Sequence, residues 1–127
     1  MTSVEIPYSV AAALPSLVAL DVTNEVRHAV ERSELDSGIA YVFAGGHGVV
    51  RVNEREAGFF DDLERLLERI VPADTGERER LLRFLLGPRG EQVPFIEGEL
   101  CLGQWQRILV FGFGAAEAPE WTLTLLG

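Results

Sequence analysis

The sequence contains no lysine and only one cysteine, and each of these facts excludes one type of chemistry. All 11 basic residues are arginine, so the chain has neither a Schiff-base lysine nor a lysine general base. The single cysteine, Cys101, excludes an internal disulfide and is consistent with a reducing cytoplasm. Cys101 alternates with Leu100 and Leu102, which predicts a strand and favours burial of its thiol.

Positive charge is scarce, because 20 acidic residues outweigh 11 basic ones and the formal net charge is −9. Nucleic-acid binding depends on an excess of basic groups that neutralise phosphates, so this balance disfavours a nucleic-acid partner. An anionic small molecule, such as a phosphorylated metabolite, stays an open ligand class only where arginines cluster locally.

Long hydrophobic runs are also missing. The apolar run from Val10 to Leu20 is interrupted by Pro15 and is too short to span a bilayer. It follows Glu5 rather than an arginine, which does not fit a signal peptide. We therefore expect a cytoplasmic protein without a membrane partner. With 127 residues, 47% of them hydrophobic, the chain is expected to fold as one domain over residues 1–127.

Hydrophobic periodicity predicts a mixed α+β fold. Three helices are predicted. The first is capped by Thr23 and ends before Ser33, the second covers 59–71, and the third follows a capping signal at 74–77 and reaches 86. Strands are predicted at 4–8, 16–20, 39–43, 49–52, 93–96, 99–102, 104–113 and 121–126. The turn between the fifth and sixth of these strands is expected at Glu97 and Gly98.

The chain is organised around the strand predicted at 104–113. Both of its faces become apolar after Arg107, as expected for a strand that is covered on both sides. Three polar residues, Gln104, Gln106 and Arg107, stand at its beginning beside a large aromatic residue, Trp105. Polar groups next to a buried strand must find partners or bind a ligand. We expect Trp105 to pack against the core, and the three polar residues to line either the mouth of the former metal site described below or a subunit boundary.

A glycine-rich segment, 44–48, follows the apolar strand at 39–43 and contains His47. Glycine permits close backbone approach to a ligand, but the spacing matches neither a phosphate-binding loop nor a dinucleotide fingerprint.

Three segments resemble one family. The most specific is the run Leu-Gly-Gln-Trp-Gln-Arg-Ile at 102–108, and the others are Asp-Val-Thr-Asn-Glu-Val at 21–26 and Val-Asn-Glu at 52–54 before an acidic, leucine-rich helix. Together they resemble the YjbQ-like proteins, often labelled secondary thiamine-phosphate synthase. The resemblance implies an α+β fold of packed antiparallel sheets with two or three helices, and assembly as a homotrimer.

The same resemblance implies a divalent-metal site built from three histidines, and this sequence lacks them. Gly45 stands at the first position, and Arg78 and Arg80 stand at the second and third. Arginine stays protonated and offers no lone pair, so a three-ligand zinc site is lost and no cofactor is expected. The remaining alternative is a weak metal site formed by His47 and Glu54.

Two hypotheses of function follow. In the first, the protein has lost the metal site and is a binding or structural homo-oligomer. In the second, His47, Arg78 and Arg80 form a rebuilt anion site for weak thiamine-phosphate synthase-type or phosphate-ester chemistry. Ion pairing with the neighbouring glutamates on a solvated helix face is the alternative interpretation of both arginines. The complete set of candidate site residues is His47, Asn53, Glu54, Arg78, Arg80, Gln104, Trp105, Gln106 and Arg107.

Overall fold

The structure, a computed structural model, describes residues 9–46, 48–114 and 119–127. These residues form three helices, α1 (Thr23–Ser33), α2 (Ala57–Ile70) and α3 (Arg78–Leu86). They also form eight strands: β1 (Ser9–Ala13), β2 (Leu17–Asp21), β3 (Gly38–Ala44), β4 (Val49–Glu54), β5 (Gly90–Ile96), β6 (Glu99–Leu100), β7 (Gln106–Phe113) and β8 (Trp121–Leu126).

The strands build two antiparallel sheets, which confirms the predicted α+β fold. The first sheet has the order β1-β2-β7-β4, and the second has the order β6-β5-β3-β8. No helix within the described ranges is long and apolar enough to cross a membrane.

Strand β7 is central in the first sheet and is covered on both faces. Ile108 and Val110 belong to a core cluster that also contains residues of the second sheet and of α1. Leu109, Phe111 and Phe113 belong to a second cluster, with residues of α2 and α3. The predicted alternation of the two faces is therefore confirmed, since successive strand residues point to opposite sides of a sheet.

The outer face of the second sheet carries an apolar row. Ile39 in β3 pairs with Pro94 in β5 on one side and with Leu126 in β8 on the other. Directly paired residues project to the same face, so these three side chains lie in line across three strands. Ile96 and Leu126 are each 58% exposed. This row is named the outer apolar row below.

Most predicted strands are confirmed, with differences at their ends. The strand predicted at 4–8 lies outside the described residues, and β1 begins at Ser9. The strand predicted from Gln104 begins at Gln106, because residues 103–106 form a turn closed by a hydrogen bond from the Gln106 amide to the Gly103 carbonyl. Glu97 and Gly98 both adopt positive φ, at 54° and 77°, as the predicted hairpin turn requires.

Two local predictions are wrong. Thr23 does not cap α1 through its side chain; its hydroxyl donates to Asp21 and accepts from the Ile108 amide. The thiol of Cys101 is exposed, because Cys101 follows the end of the short strand β6 instead of continuing it into a covered layer.

Candidate functional site

A buried carboxylate, Asp21, ends strand β2, and its side chain is 1% exposed. Its Oδ1 accepts hydrogen bonds from the amide of Thr23 at 3.0 Å and from the hydroxyl of Thr23 at 2.7 Å. Its Oδ2 accepts from Arg107 Nε at 2.8 Å and from Arg55 Nη1 at 3.1 Å. One carboxylate thus joins the beginnings of α1 and β7 to the segment between β4 and α2.

The protonation of Asp21 follows from opposing effects. Burial raises the pKa of Asp21, whereas hydrogen bonds from Thr23 and Arg107, together with the positive charge of Arg107, lower it. The lowering effects prevail, so the pKa lies below its ordinary value. The carboxylate is therefore ionised at neutral pH and keeps both guanidinium groups in position.

The pairing of β4 with β7 brings together most of the candidate residues from the sequence. Asn53 pairs with Arg107, and Glu54 pairs with Gln106. Just before Gln106, the turn at 103–106 places Gln104 and Trp105 next to these pairs, and Gln106 Oε1 closes it by accepting from the Gly103 amide at 2.7 Å.

Two adjoining cavities open on this cluster. The larger has a volume of about 460 Å³ and is lined by Asp21, Glu54, Arg55, Glu56, Gln104, Trp105 and Arg107. The other has a volume of about 440 Å³ and is lined by Val52, Asn53, Glu54, Glu56, Phe59 and Gln106. They share the two glutamates, so six of the nine candidate residues line one continuous concave surface. The larger of the two is named the Trp105 cavity below.

The predicted burial of Trp105 is wrong. Its side chain is 69% exposed, because it lies in the turn before β7 rather than in the strand. Buried residues of the strand begin only at Ile108. Trp105 therefore forms part of the rim of its cavity instead of contributing to the core.

The sequence predicts Arg78 either as an anion-binding residue or as part of a solvated ion pair, and the structure gives it a different role. It is half-buried at the start of α3, where its Nε donates to the Val71 carbonyl at 2.7 Å and its Nη2 donates to Ser16 Oγ at 2.9 Å. Ser16 in turn donates its amide and hydroxyl to the buried carboxylate of Glu64, at 3.0 and 2.6 Å. Arg78 is therefore neither on a solvated face nor free to turn toward a ligand without losing these bonds.

The candidate residues fall into two groups at opposite ends of the first sheet. Arg78 contacts Ser16, which precedes Leu17, and Leu17 pairs with Phe113 at the far end of β7. The other group surrounds Gln106, at the near end of β7, and seven residue steps along a strand span roughly 23 Å. The structure thus does not bring the two groups together within one chain.

Arg80 and Gly45 are less informative than Arg78. Arg80 Nη1 lies 4.0 Å from Glu77 Oε1, and both side chains are more than two-thirds exposed, which matches a solvated ion pair. Gly45 donates its amide to the Glu120 carbonyl at 3.1 Å. His47 lies outside the described residues.

The donors at the three family positions do not fit the divalent metal that the resemblance implies. Gly45 has no side chain, and arginine offers no lone pair to a metal. Across residues 9–46, 48–114 and 119–127, no three His, Cys, Asp or Glu side chains lie close enough to hold a metal ion.

Sequence reasoning missed the roles of Asp21 and Arg55 at one end of the first sheet, and the pairing of Ser16 with Glu64 at the other end. A signal for Asp21 existed, because a lone carboxylate at the end of a buried strand needs donors. The identity of those donors depends on contacts between residues 34 and 86 positions apart, which no local pattern reveals.

The fold and the site define a class: α+β proteins of two antiparallel sheets with an arginine–carboxylate cluster at one end of the first sheet. The chain belongs to the family described as "UPF0047 protein YjbQ-like", whose model matches residues 15–127. A UPF0047 protein of Methanothermobacter thermautotrophicus is 32% identical over 110 residues, which cover 80% of this chain and 75% of that protein. One from Archaeoglobus fulgidus is 32% identical over 103 residues, covering 74% and 79%.

Solved structures agree with the fold. A YjbQ-like protein of unknown function from Sulfolobus solfataricus superposes with a TM-score of 0.79 at 24% identity, covering 94% of this chain and 93% of that one. An uncharacterised conserved protein of the family from Clostridium acetobutylicum gives a TM-score of 0.78, also at 24% identity, covering 87% and 92%.

Proposed function

We propose that this protein is a homotrimer that has lost the family metal site and acts as a binding or structural protein. The observation that carries the proposal is the engagement of Arg78, at one of the three family histidine positions, with Val71 and Ser16. A side chain that stabilises the packing of α3 against the β1–β2 turn serves the fold and does not bind a metal.

The same bonds argue against the enzyme alternative. A rebuilt anion site needs the guanidinium of Arg78 to face a ligand, but its Nε and Nη2 donate to Val71 and Ser16, which leaves only Nη1 for an anion. Arg80 is highly exposed next to Glu77, where water screens its charge. The binding or structural role therefore has the better support.

Self-association is supported by the outer apolar row. Contiguous exposed apolar surface on a small protein marks an interaction site, because its burial removes that surface from water. The row crosses three strands of one sheet and is flanked by Ile96, which is as exposed as Leu126. An exposed sheet face of this kind suits contact with another copy of the chain.

Light scattering tests the assembly. We expect a mass near three times the 14.0 kDa of one chain, and a monomer mass at micromolar concentration would contradict the proposal. Leu126→Glu should lower the mass because it puts a charge into the outer apolar row. Leu66→Glu is the matched control, since Leu66 is similarly exposed but lies on α2, on the other side of the molecule.

Elemental analysis tests the loss of the metal site. We expect purified protein to contain no stoichiometric zinc. About one zinc per chain, lost in His47→Ala, would overturn the proposal and favour an enzyme.

A further inference from the structure

We propose that the Trp105 cavity binds a planar carboxylate, that is, an aromatic or heteroaromatic acid held between two guanidinium groups and an exposed indole ring. The proposal extends the binding role above by naming a ligand class. Zinc content and oligomer mass test that role separately, so the two can fail independently.

The cationic wall of the cavity is preorganised. Arg55 and Arg107 both line it, and their side chains are 38% and 26% exposed. Both are anchored on the buried Asp21 carboxylate, and Arg55 also donates to Ser9 Oγ at 2.8 Å and to the Val10 carbonyl at 3.0 Å. A guanidinium that is already fixed in position loses little conformational freedom when a ligand binds.

Arg107 keeps one donor group for a ligand. Its Nε donates to Asp21, and its Nη2 lies 3.5 Å from Asn24 Oδ1. Within the described part of the chain, its Nη1 donates to no protein atom. Arg107 lines the cavity, and we assign this nitrogen to a carboxylate oxygen of the ligand.

The cavity is lined by two guanidinium groups and three carboxylates, so a dianion is repelled more strongly than a singly charged ligand. Asp21 is paired with both guanidinium groups. Both oxygens of Glu56 accept amides at the start of α2, from Gly58 at 3.1 Å and Phe59 at 2.6 Å, and the helix dipole offsets that carboxylate. Glu54 adds an exposed negative charge, which repels a phosphate dianion more strongly than a carboxylate.

Trp105 is the residue expected to contact the planar part of the ligand. Its ring is 69% exposed on a turn that two hydrogen bonds between Gly103 and Gln106 hold closed. An exposed indole beside a cavity of about 460 Å³ offers a flat apolar surface for stacking. The adjoining cavity of about 440 Å³ leaves room for substituents on the ring.

A titration of the full-length protein with benzoate, followed by NMR, tests the site. We expect the indole N–H resonance of Trp105 to shift with a Kd of about 1 mM. The resonance of Trp121 should stay in place, because Trp121 packs against the core between the sheets. Benzamide, which has the same shape without charge, and inorganic phosphate should each bind at least about tenfold more weakly. Equal binding of benzamide or phosphate, or no shift of the Trp105 resonance at about 10 mM benzoate, would overturn the proposal.

Variants separate the contributions of Trp105 and Glu54 to benzoate binding, which is measured by ligand-observed NMR. Trp105→Ala should weaken benzoate binding about three- to tenfold, whereas Phe84→Ala, at an exposed aromatic residue on α3, should not. Glu54→Gln should strengthen binding about two- to fivefold because it removes a repelling charge. Weaker or unchanged binding in Glu54→Gln would contradict the charge argument.

Light scattering distinguishes ligand binding by Trp105 from a role of Trp105 in assembly. If the indole were buried between copies of the chain, Trp105→Ala would lower the oligomer mass in light scattering. We expect the mass to stay unchanged, and a fall in mass would overturn the site.

Discussion

The substitution Asp21→Asn tests the cluster on which the candidate site is built. The carboxylate accepts four hydrogen bonds, two on each oxygen. An asparagine keeps one acceptor oxygen and replaces the other with an NH₂ group, which faces donors in either orientation. The variant therefore loses two of the four bonds and the charge that attracts both arginines.

The magnitude follows from the partners. Hydrogen bonds to charged groups contribute about 1.5–3 kcal/mol each, and breaking a buried ion pair from one side costs about 3–5 kcal/mol. Arg55 and Arg107 are 38% and 26% exposed, so water compensates part of their loss. We expect the free energy of unfolding to fall by about 3–5 kcal/mol, which corresponds to a decrease in Tm of about 10–20 °C.

Chemical denaturation at pH 7 measures this change. The matched control is Asp62→Asn, because Asp62 forms a surface pair with Arg65 in which both side chains are about 70% exposed. The control should change the free energy of unfolding by less than about 0.5 kcal/mol. A loss below about 1 kcal/mol in Asp21→Asn would refute the reasoning, since it would show that the buried carboxylate contributes little beyond a surface pair.

Three further predictions concern stability. Since the pKa of Asp21 is lowered in the folded state, its contribution to stability is complete above the ordinary pKa of about 3.9 and is lost as the pH falls through the folded value. The stability difference between wild type and Asp21→Asn should therefore shrink below about pH 4. A constant difference down to about pH 2 would contradict this. Glu64→Ala removes the buried acceptor of an amide and a hydroxyl and should cost about 2–4 kcal/mol in urea denaturation. Glu68→Ala, at an exposed residue one turn later in α2, should cost less than about 0.5 kcal/mol. Trp105→Ala should change the free energy of unfolding by less than about 1 kcal/mol, well below the cost of Trp121→Ala, whose ring packs against the core; equal costs would show that Trp105 is buried in solution.

The order and type of most elements could be predicted because their patterns are local. A continuous apolar run identified β3, a last strand was predicted where β8 lies, and the buried faces of β7 followed from the change at Arg107. The start of β7 was predicted two residues early, because the turn that precedes it depends on a hydrogen bond between Gly103 and Gln106. An alternating pattern cannot show where such a turn replaces the strand.

The candidate site could be predicted only in part. Gln106 and Arg107 were found as polar residues at the start of a strand, and Asn53 and Glu54 from the family resemblance. The pairing of β4 with β7 brings the four together. Arg78 was assigned to a site from its position in the family pattern, but its partners Val71 and Ser16 come from other elements. Contacts of this kind depend on how helices pack on the sheet, which one sequence does not encode in any single segment.

The strand order has a consequence for synthesis of the chain. In the first sheet, β2 and β4 do not pair with each other, since both pair with β7. A ribosome-bound chain that ends before Gln106 therefore holds two apolar strands, each with an unpaired edge. Unpaired edges recruit other strands, so this nascent stage is the one most exposed to aggregation. The first sheet closes only when the residues that follow Trp105 have left the exit tunnel.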